Sequence, residues 1–313
     1  MEKIWLDTDI GTDSDDAVAL TYLLCRKECD LVGISTATND TPARARIANA
    51  FCKAFNKEIP IYAGKRTGIC DERESMGLTF IHRNVSEKYR CIYPENLNIE
   101  VDGVGNELPV VPAAIKAMRD CIVNNPNEIT LLAIGPFSNV GMLFAAYPET
   151  APLLKKLVMM GGSFFGNERC TWDIERECNM IIDAESSHIV LNSKVSDAYI
   201  IGVDVTWDFR LPSDKLYELV PKEEKFKVLR DILAPRLEIP NVDPVWFHDP
   251  LAAVLLFEPE MFELVRGKVE IEMDTEPRGK NIFTPDENGV WKVVKAFKGG
   301  EEAFFKHFFD VVK

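Results

Sequence analysis

Short apolar runs alternate with helix-like stretches along this chain, and that alternation constrains the fold more than any single motif. Strand–helix–strand units of this kind build a parallel sheet with helices packed on its faces. Residues 4–6 read as a buried strand, 17–24 as a helix, 31–36 as the next strand and roughly 43–55 as the next helix. Residues 59–62 make a third strand, marked by Pro60 and ended by Gly64. A helix over 112–123 leads to a strand over 129–134, which Gly135-Pro136 breaks. Ser138 or Asn139 is placed to cap a helix over 140–146. A strand over 157–160, a helix over 184–191 and a strand over 199–203 follow. Residues 67–107 and 163–178 lack periodicity; the first reads as a long excursion or lid and the second as an irregular loop.

The C-terminal third is more mixed. Ser213 caps a short helix to Val220, Pro221 opens a second one to about Leu233, and Pro250 heads a helix over 250–257. Residues 269–273 and 290–296 are expected to pair antiparallel through a turn at 286–289. Residues 301–312 form a terminal amphipathic helix, with Phe304, Phe305, Phe308 and Phe309 on its apolar side. The expectation is an α/β fold: an open, mostly parallel, Rossmann-like sheet flanked by helices, with some antiparallel strands toward the C-terminus. With no linker or repeat in sight, residues 1–313 read as one domain.

The formal net charge is −14, from 50 acidic against 36 basic residues. A field of that sign repels nucleic-acid backbones and anionic membranes, so neither is expected as a partner. No apolar stretch reaches the length of a signal-peptide core or a membrane span, and the chain is read as cytoplasmic. None of the eight cysteines forms a C-x-x-C pair and no histidine cluster joins them, which argues against zinc and for reduced core thiols.

In open parallel sheets, ligands bind beyond the carboxyl ends of the strands. The loops that follow the strands here carry oxygen-rich side chains and glycines. The first is the sharpest: Asp7, Asp9, Asp13, Asp15 and Asp16 lie within ten residues. Capping the next helix needs one or two aspartates, not five. A hard divalent cation removes their mutual repulsion, and Ca²⁺ or Mg²⁺ takes carboxylate and carbonyl oxygens. Asn39-Asp40, Ile134-Gly135-Pro136, Gly161-Gly162 and Asp204 end other strands, and a loop holding Asn167, Glu177 and Asn179 follows the glycine pair. His248-Asp249-Pro250 is a second constellation, whose plain reading is a helix entry.

Leu6-Asp7-Thr8-Asp9-Ile10-Gly11, followed by Asp15-Asp16-Ala17-Val18-Ala19-Leu20, resembles the N-terminal signature of the inosine–uridine nucleoside hydrolases. Met160-Gly161-Gly162 is similar to the family's mid-chain glycine turn. Glu177-Cys178-Asn179 with Asp183-Ala184-Glu185 looks like its E-x-N…D-P-E-A segment, and Phe247-His248-Asp249-Pro250 resembles its C-terminal motif. The resemblance implies hydrolysis of the N-glycosidic bond of a small-molecule ribonucleoside, with Ca²⁺ as cofactor and a homodimer or homotetramer as the assembly. It implies Asp9 as metal ligand and general base. Asp16, Asp249 and the backbone carbonyl of Ile134 follow as further ligands, and His248 lies near the leaving base. Asp15, Glu177 and Asn179 are implied as ribose contacts, with Asp40, where many members carry Asn, and Asn167 beside them.

Three departures stand out. The stretch between Asp9 and Asp15 is two residues longer than the family's commonest form, which leaves Asp13 without a role. Residues 67–107 lack the usual His-Gly lid segment, although His82 and Asp102-Gly103-Val104-Gly105 lie there. The 163–178 loop is longer than usual and contains Trp172. Trp172, Trp207 and Trp246 are candidates to stack on a base, though burial is the commoner fate of tryptophan. Two other readings compete. One is a nucleoside- or ribose-binding protein without turnover. The other is a haloacid-dehalogenase-like phosphatase using Mg²⁺, for which Asp7-x-Asp9 supplies the nucleophile–acid pair.

Overall fold

The computed structural model describes residues 1–11, 13–69, 111–170, 174–239, 241–242, 244–274 and 278–313. The expected lid, with His82 and the 102–105 glycine segment, lies mostly outside those residues, as does Trp172. Among the described residues the strands are β1 (Glu2–Thr8), β2 (Cys29–Thr36), β3 (Ile61–Ala63), β4 (Ile129–Ala133), β5 (Lys156–Met160), β6 (Ala198–Ile201), β7 (Arg210–Leu211), β8 (Val245–Trp246), β9 (Phe262–Ile271), β10 (Asn281–Pro285) and β11 (Trp291–Phe297). Nine of them form one sheet in the order β10-β9-β11-β6-β5-β4-β1-β2-β3, while β7 and β8 pair in a separate ribbon. From β3 across to β11 all neighbours run parallel; β9 is antiparallel to β11, and β10 to β9. The mostly parallel sheet with antiparallel strands near the C-terminus is the architecture the sequence leads one to expect.

Among the described residues the α-helices are α1 (Asp15–Cys25), α2 (Thr41–Ala54), α3 (Ala113–Asn124), α4 (Ser138–Ala146), α5 (Cys178–Ile181), α6 (Ala184–Leu191), α7 (Val203–Thr206), α8 (Ser213–Leu219), α9 (Lys227–Leu233), α10 (His248–Phe257) and α11 (Gly300–Val311). Side-chain alternation along the strands sorts them into two layers. Ile4 and Leu6 of β1 pack with apolar residues of α1, α2, α10 and α11 on one face, while Trp5 joins α3, α4 and α6 on the other. On α11, Phe304 and Phe308 are buried, with Phe305 and Phe309 packed against that cluster. Helices cover both faces, so central strands such as β4 are buried at every position.

Chain order and sheet order part company at β1. The chain runs outward through β2 and β3, then returns to place β4 on the other side of β1. Such a reversal opens a crevice between two strand ends, the usual ligand site in sheets of this kind. Here it lies between the ends of β1 and β4, where the Ile134 amide donates to the Asp7 carbonyl at 2.9 Å.

Several local expectations need correction. The region of 269–296 holds three strands, with β9 between β10 and β11. Strand β10 lies at the sheet edge, mostly exposed and ending in Pro285, so it shows no clean alternation. Residues 203–206 form the helical turn α7, and β6 stops at Ile201. Pro221 opens no helix directly; a 3₁₀ turn at Glu224–Phe226 precedes α9. The helix carrying Pro250 begins at His248, which puts both His248 and Asp249 in its first turn. Neither Ser138 nor Asn139 caps α4, whose N-cap is Phe137; the Asn139 side chain is used elsewhere.

Candidate active site

The acidic loop leaves β1 at the crevice and turns directly into α1. Thr8 begins the arrangement: its hydroxyl donates to the Asp16 carboxylate and accepts from the Ile10 amide at 3.1 Å. Asp15 and Asp16 occupy the first turn of α1, and Asp249 occupies the first turn of α10, which packs against α1. One oxygen from each of Asp15, Asp16 and Asp249 can lie within 4.8 Å of the others, and all three residues are buried. Two helix N-termini therefore converge on one carboxylate cluster, and their positive ends partly offset its charge.

Asp9 joins them from the strand end. Its negative charge opposes those of Asp15, Asp16, Asp249 and Glu177, so it lies near each of them. Gly135 makes room for it: a Cβ there would come within 2.7 Å of the Asp9 amide nitrogen and 3.0 Å of its Oδ1. Burial, then mutual repulsion, pushes Asp15, Asp16 and Asp249 well above the usual carboxylate range. Buried carboxylates crowded in this way either hold protons or hold a cation. The donors are all oxygens, as a hard cation requires.

Beyond the cluster, Asn179 ties two strand ends together. Its amide donates to the Ile134 carbonyl at 2.9 Å and to the Met160 carbonyl at 3.1 Å. Glu177, the N-cap of α5, accepts from the Asn179 and Gly162 amides, each at 2.9 Å. Gly162 has φ +79°, a left-handed backbone that glycine adopts without strain. Burial nevertheless raises Glu177 to about 7 against those hydrogen bonds.

His248 is fixed from the other direction. Its Nδ1 lies 2.7 Å from the Thr206 hydroxyl of α7, and its ring stacks on Trp246 with centroids 6.2 Å apart. Burial lowers the imidazole to about 3, so it is neutral around pH 7. Trp246 also leans on Trp207, which is buried and donates to the Arg169 carbonyl at 3.1 Å.

Two of the residues singled out from the sequence lie apart from the cluster. Asp40 is exposed and caps α2, accepting from the Ala43 amide at 3.1 Å. Asn167 is engaged by the 204–208 segment: its amide donates to the Asp204 carbonyl at 2.8 Å and its oxygen accepts from the Arg169 amide at 2.9 Å.

One residue at the site, Arg44, escapes a reading of the sequence, and another, Asp7, takes a role there that its place in the acidic loop did not indicate. Arg44 is buried on α2, where it donates to the Asp9 and Ile10 carbonyls of the acidic loop and to the Thr38 carbonyl at 2.8 Å. A lone arginine in an apolar helical stripe was its signal. Asp7, fully buried, accepts from Ser35 and, at 2.7 Å, from Asn139, whose amide also reaches the Thr36 carbonyl at 3.1 Å. Asp7 thus anchors the strand ends beneath the site.

Burial raises Asp7 to about 7, whereas an unfolded aspartate titrates near 3.8. Between those values the folded protein holds the extra proton, so stability falls as pH rises through that window. Asp7→Asn should remove this share. In urea unfolding with chelator present, its stability relative to wild type should improve by about 2–4 kcal/mol between pH 5 and pH 8. A difference that does not change with pH would show that Asp7 stays charged throughout.

The family model of the inosine-uridine preferring nucleoside hydrolases matches residues 4–306 of this sequence. The chain belongs to that family. It is an enzyme of the nucleoside hydrolase class, hydrolysing the N-glycosidic bond of ribonucleosides. Among curated relatives, the non-specific ribonucleoside hydrolase RihC of Shigella boydii is 30% identical over 276 residues, covering 87% of this chain and 84% of its own. The purine-preferring ribonucleoside hydrolase of Gardnerella vaginalis superposes with a TM-score of 0.75 at 21% identity, covering 99% of this chain and 98% of its own. The inosine-uridine preferring nucleoside hydrolase of Bacillus anthracis gives 0.72 at 20%, covering 100% and 99%. These two likenesses establish the fold of the nucleoside hydrolase family across the whole chain. No helix among the described residues is long and apolar enough to cross a membrane.

Proposed function

We propose that this nucleoside hydrolase works with a Ca²⁺ ion held by Asp9, Asp16, Asp249 and the Ile134 carbonyl. The observation that carries the reading is the buried cluster of Asp15, Asp16 and Asp249 beside Asp9, at the crevice between β1 and β4. When bound, the cation would gather the ribose hydroxyls and make a neighbouring water more acidic. Asp9 takes the proton of the attacking water as general base. Asp15 accepts from the ribose hydroxyls, and Glu177 and Asn179 bound the sugar on its other side. Cleavage builds positive charge on the ribosyl ring, which these carboxylates stabilise. Asp40 and Asn167 are the remaining candidates for ribose contacts, each now engaged by a nearby backbone group.

His248 supplies a hydrogen bond to the departing base from a neutral ring, rather than a proton from an imidazolium. Burial and the Thr206 contact support that protonation state. Two results are expected. His248→Gln should lower kcat by roughly 10- to 100-fold, and its kcat pH profile should keep the same limbs as wild type. A wild-type acidic limb near 6.5 that disappears in His248→Gln would instead make the histidine a titrating acid.

The test is a ribonucleoside panel scored for reducing-sugar release, with and without chelator and added Ca²⁺. Chelator-resistant release would remove the cation from the reading.

A further inference from the structure

Asp13 belongs to the acidic loop but stands outside the cluster of Asp15, Asp16 and Asp249. Its side chain is partly exposed and lies 3.6 Å from the guanidinium of Arg236, which is buried to 1% exposure. Arg236 comes from the 3₁₀ turn Ala234–Glu238. Its Nε donates to the Ser213 hydroxyl at 3.1 Å, at the start of α8, and its Nη2 reaches the Pro244 carbonyl at 3.5 Å. Pro244 leads straight into β8 and then α10, the element that delivers His248 and Asp249. One buried cation thus links the acidic loop to the segment that supplies the far half of the site. A guanidinium taken out of water costs several kcal/mol unless paired, so its placement here needs a partner of opposite charge.

We infer that Arg236 is a positioning residue: it holds Asp13 outside the cation shell as its counter-ion and thereby sets the loop that presents Asp15 and Asp16. The extra length of this chain's acidic loop supplies the aspartate, and Arg236 prevents that aspartate from competing with the ligands. The negative charge of Asp13 still acts on Asp15 and Asp249 through space. The inference rests on the cluster being a cation site, and the first measurement below tests that by itself.

The experiment is calorimetric titration of the chelator-stripped full chain with Ca²⁺, alongside steady-state kinetics. Wild type that binds no Ca²⁺ overturns the cation reading itself. Given binding, Asp13→Asn should weaken Ca²⁺ by only about 3- to 10-fold, the effect of a charge acting at a distance. A loss of about 100-fold or more, as expected for removal of a direct ligand, overturns the inference. Arg236→Gln should bind Ca²⁺ about 3- to 10-fold more tightly, because the loop has lost a positive charge. Its kcat should fall at least about tenfold with KM changed less than about threefold, because the loop is misplaced. Adding Asp13→Asn to Arg236→Gln should return Ca²⁺ affinity to about the wild-type value. A merely structural arginine would lower thermal stability without tightening Ca²⁺, and that result overturns the inference. If Arg236→Gln does not fold, Arg236→Lys retains the charge and should bind Ca²⁺ within about twofold of wild type. A larger change in that variant overturns the inference as well.

Discussion

Asp9→Asn is expected to reduce ribonucleoside hydrolysis by about 10³-fold or more, the combined loss of a general base and of a charged ligand. Asn has nearly the same shape, so the Gly135 contact that admits Asp9 is preserved. Asp9 is also only half-buried, and its negative charge opposes those of Asp15, Asp16 and Asp249. Neutralising it relieves repulsion in the folded protein, so the variant should unfold no earlier than wild type in the presence of chelator. Loss of activity with retained or raised stability is the signature of a residue kept for chemistry. Initial rates on the best nucleoside of the panel, with chemical denaturation of the same preparation, decide it. An Asp9→Asn enzyme within about tenfold of wild type would move the general base to another carboxylate.

Removing divalent cations is the second large effect. Asp15, Asp16 and Asp249 are buried together, and burial first, then the charges of neighbouring aspartates, shifts each of them toward protonation. A cation that binds the folded cluster and not the unfolded chain stabilises by mass action, about 2.7 kcal/mol at a hundredfold excess over Kd. For a chain of this size, chelation should therefore lower Tm by on the order of 4 °C, and returning Ca²⁺ should restore both Tm and activity. The pH dependence has a definite sign: protons and the cation compete for the same oxygens, so Ca²⁺ affinity should fall as pH falls. Asp249→Asn should lose the Ca²⁺-dependent rise in Tm, yet be at least as stable as wild type in chelator, since one of the opposed charges is gone. A Tm indifferent to both chelator and Ca²⁺ would exclude the cluster as a strong cation site.

Much of the fold was legible because its signals are local. The apolar runs at β1, β4 and β5 and the glycines that end them mark strands whatever surrounds them. The edge strand β10 was not legible: it is largely exposed and carries a proline, so burial leaves no pattern on it. Asn139 was misread as a cap because its residue type suits one, while its actual partners on Asp7, Thr36 and Lys65 come from three distant segments. Arg44 and Arg236 were passed over because a single arginine has no periodicity; only burial beside the acidic loop gives either one meaning.

The sequence by itself determined the α/β class, the acidic loop at the end of the first strand and the kinship with nucleoside hydrolases, since each is written in contiguous residues. Tertiary structure alone decided which carboxylates meet. Asp249 reaches Asp15 and Asp16 because α10 packs on α1, and Asp9 enters because the strand order reverses at β1 and Gly135 leaves space. Asp13, the one aspartate of the loop left without a task, lies 3.6 Å from the buried guanidinium of Arg236, because the fold brings the 234–238 turn against the acidic loop.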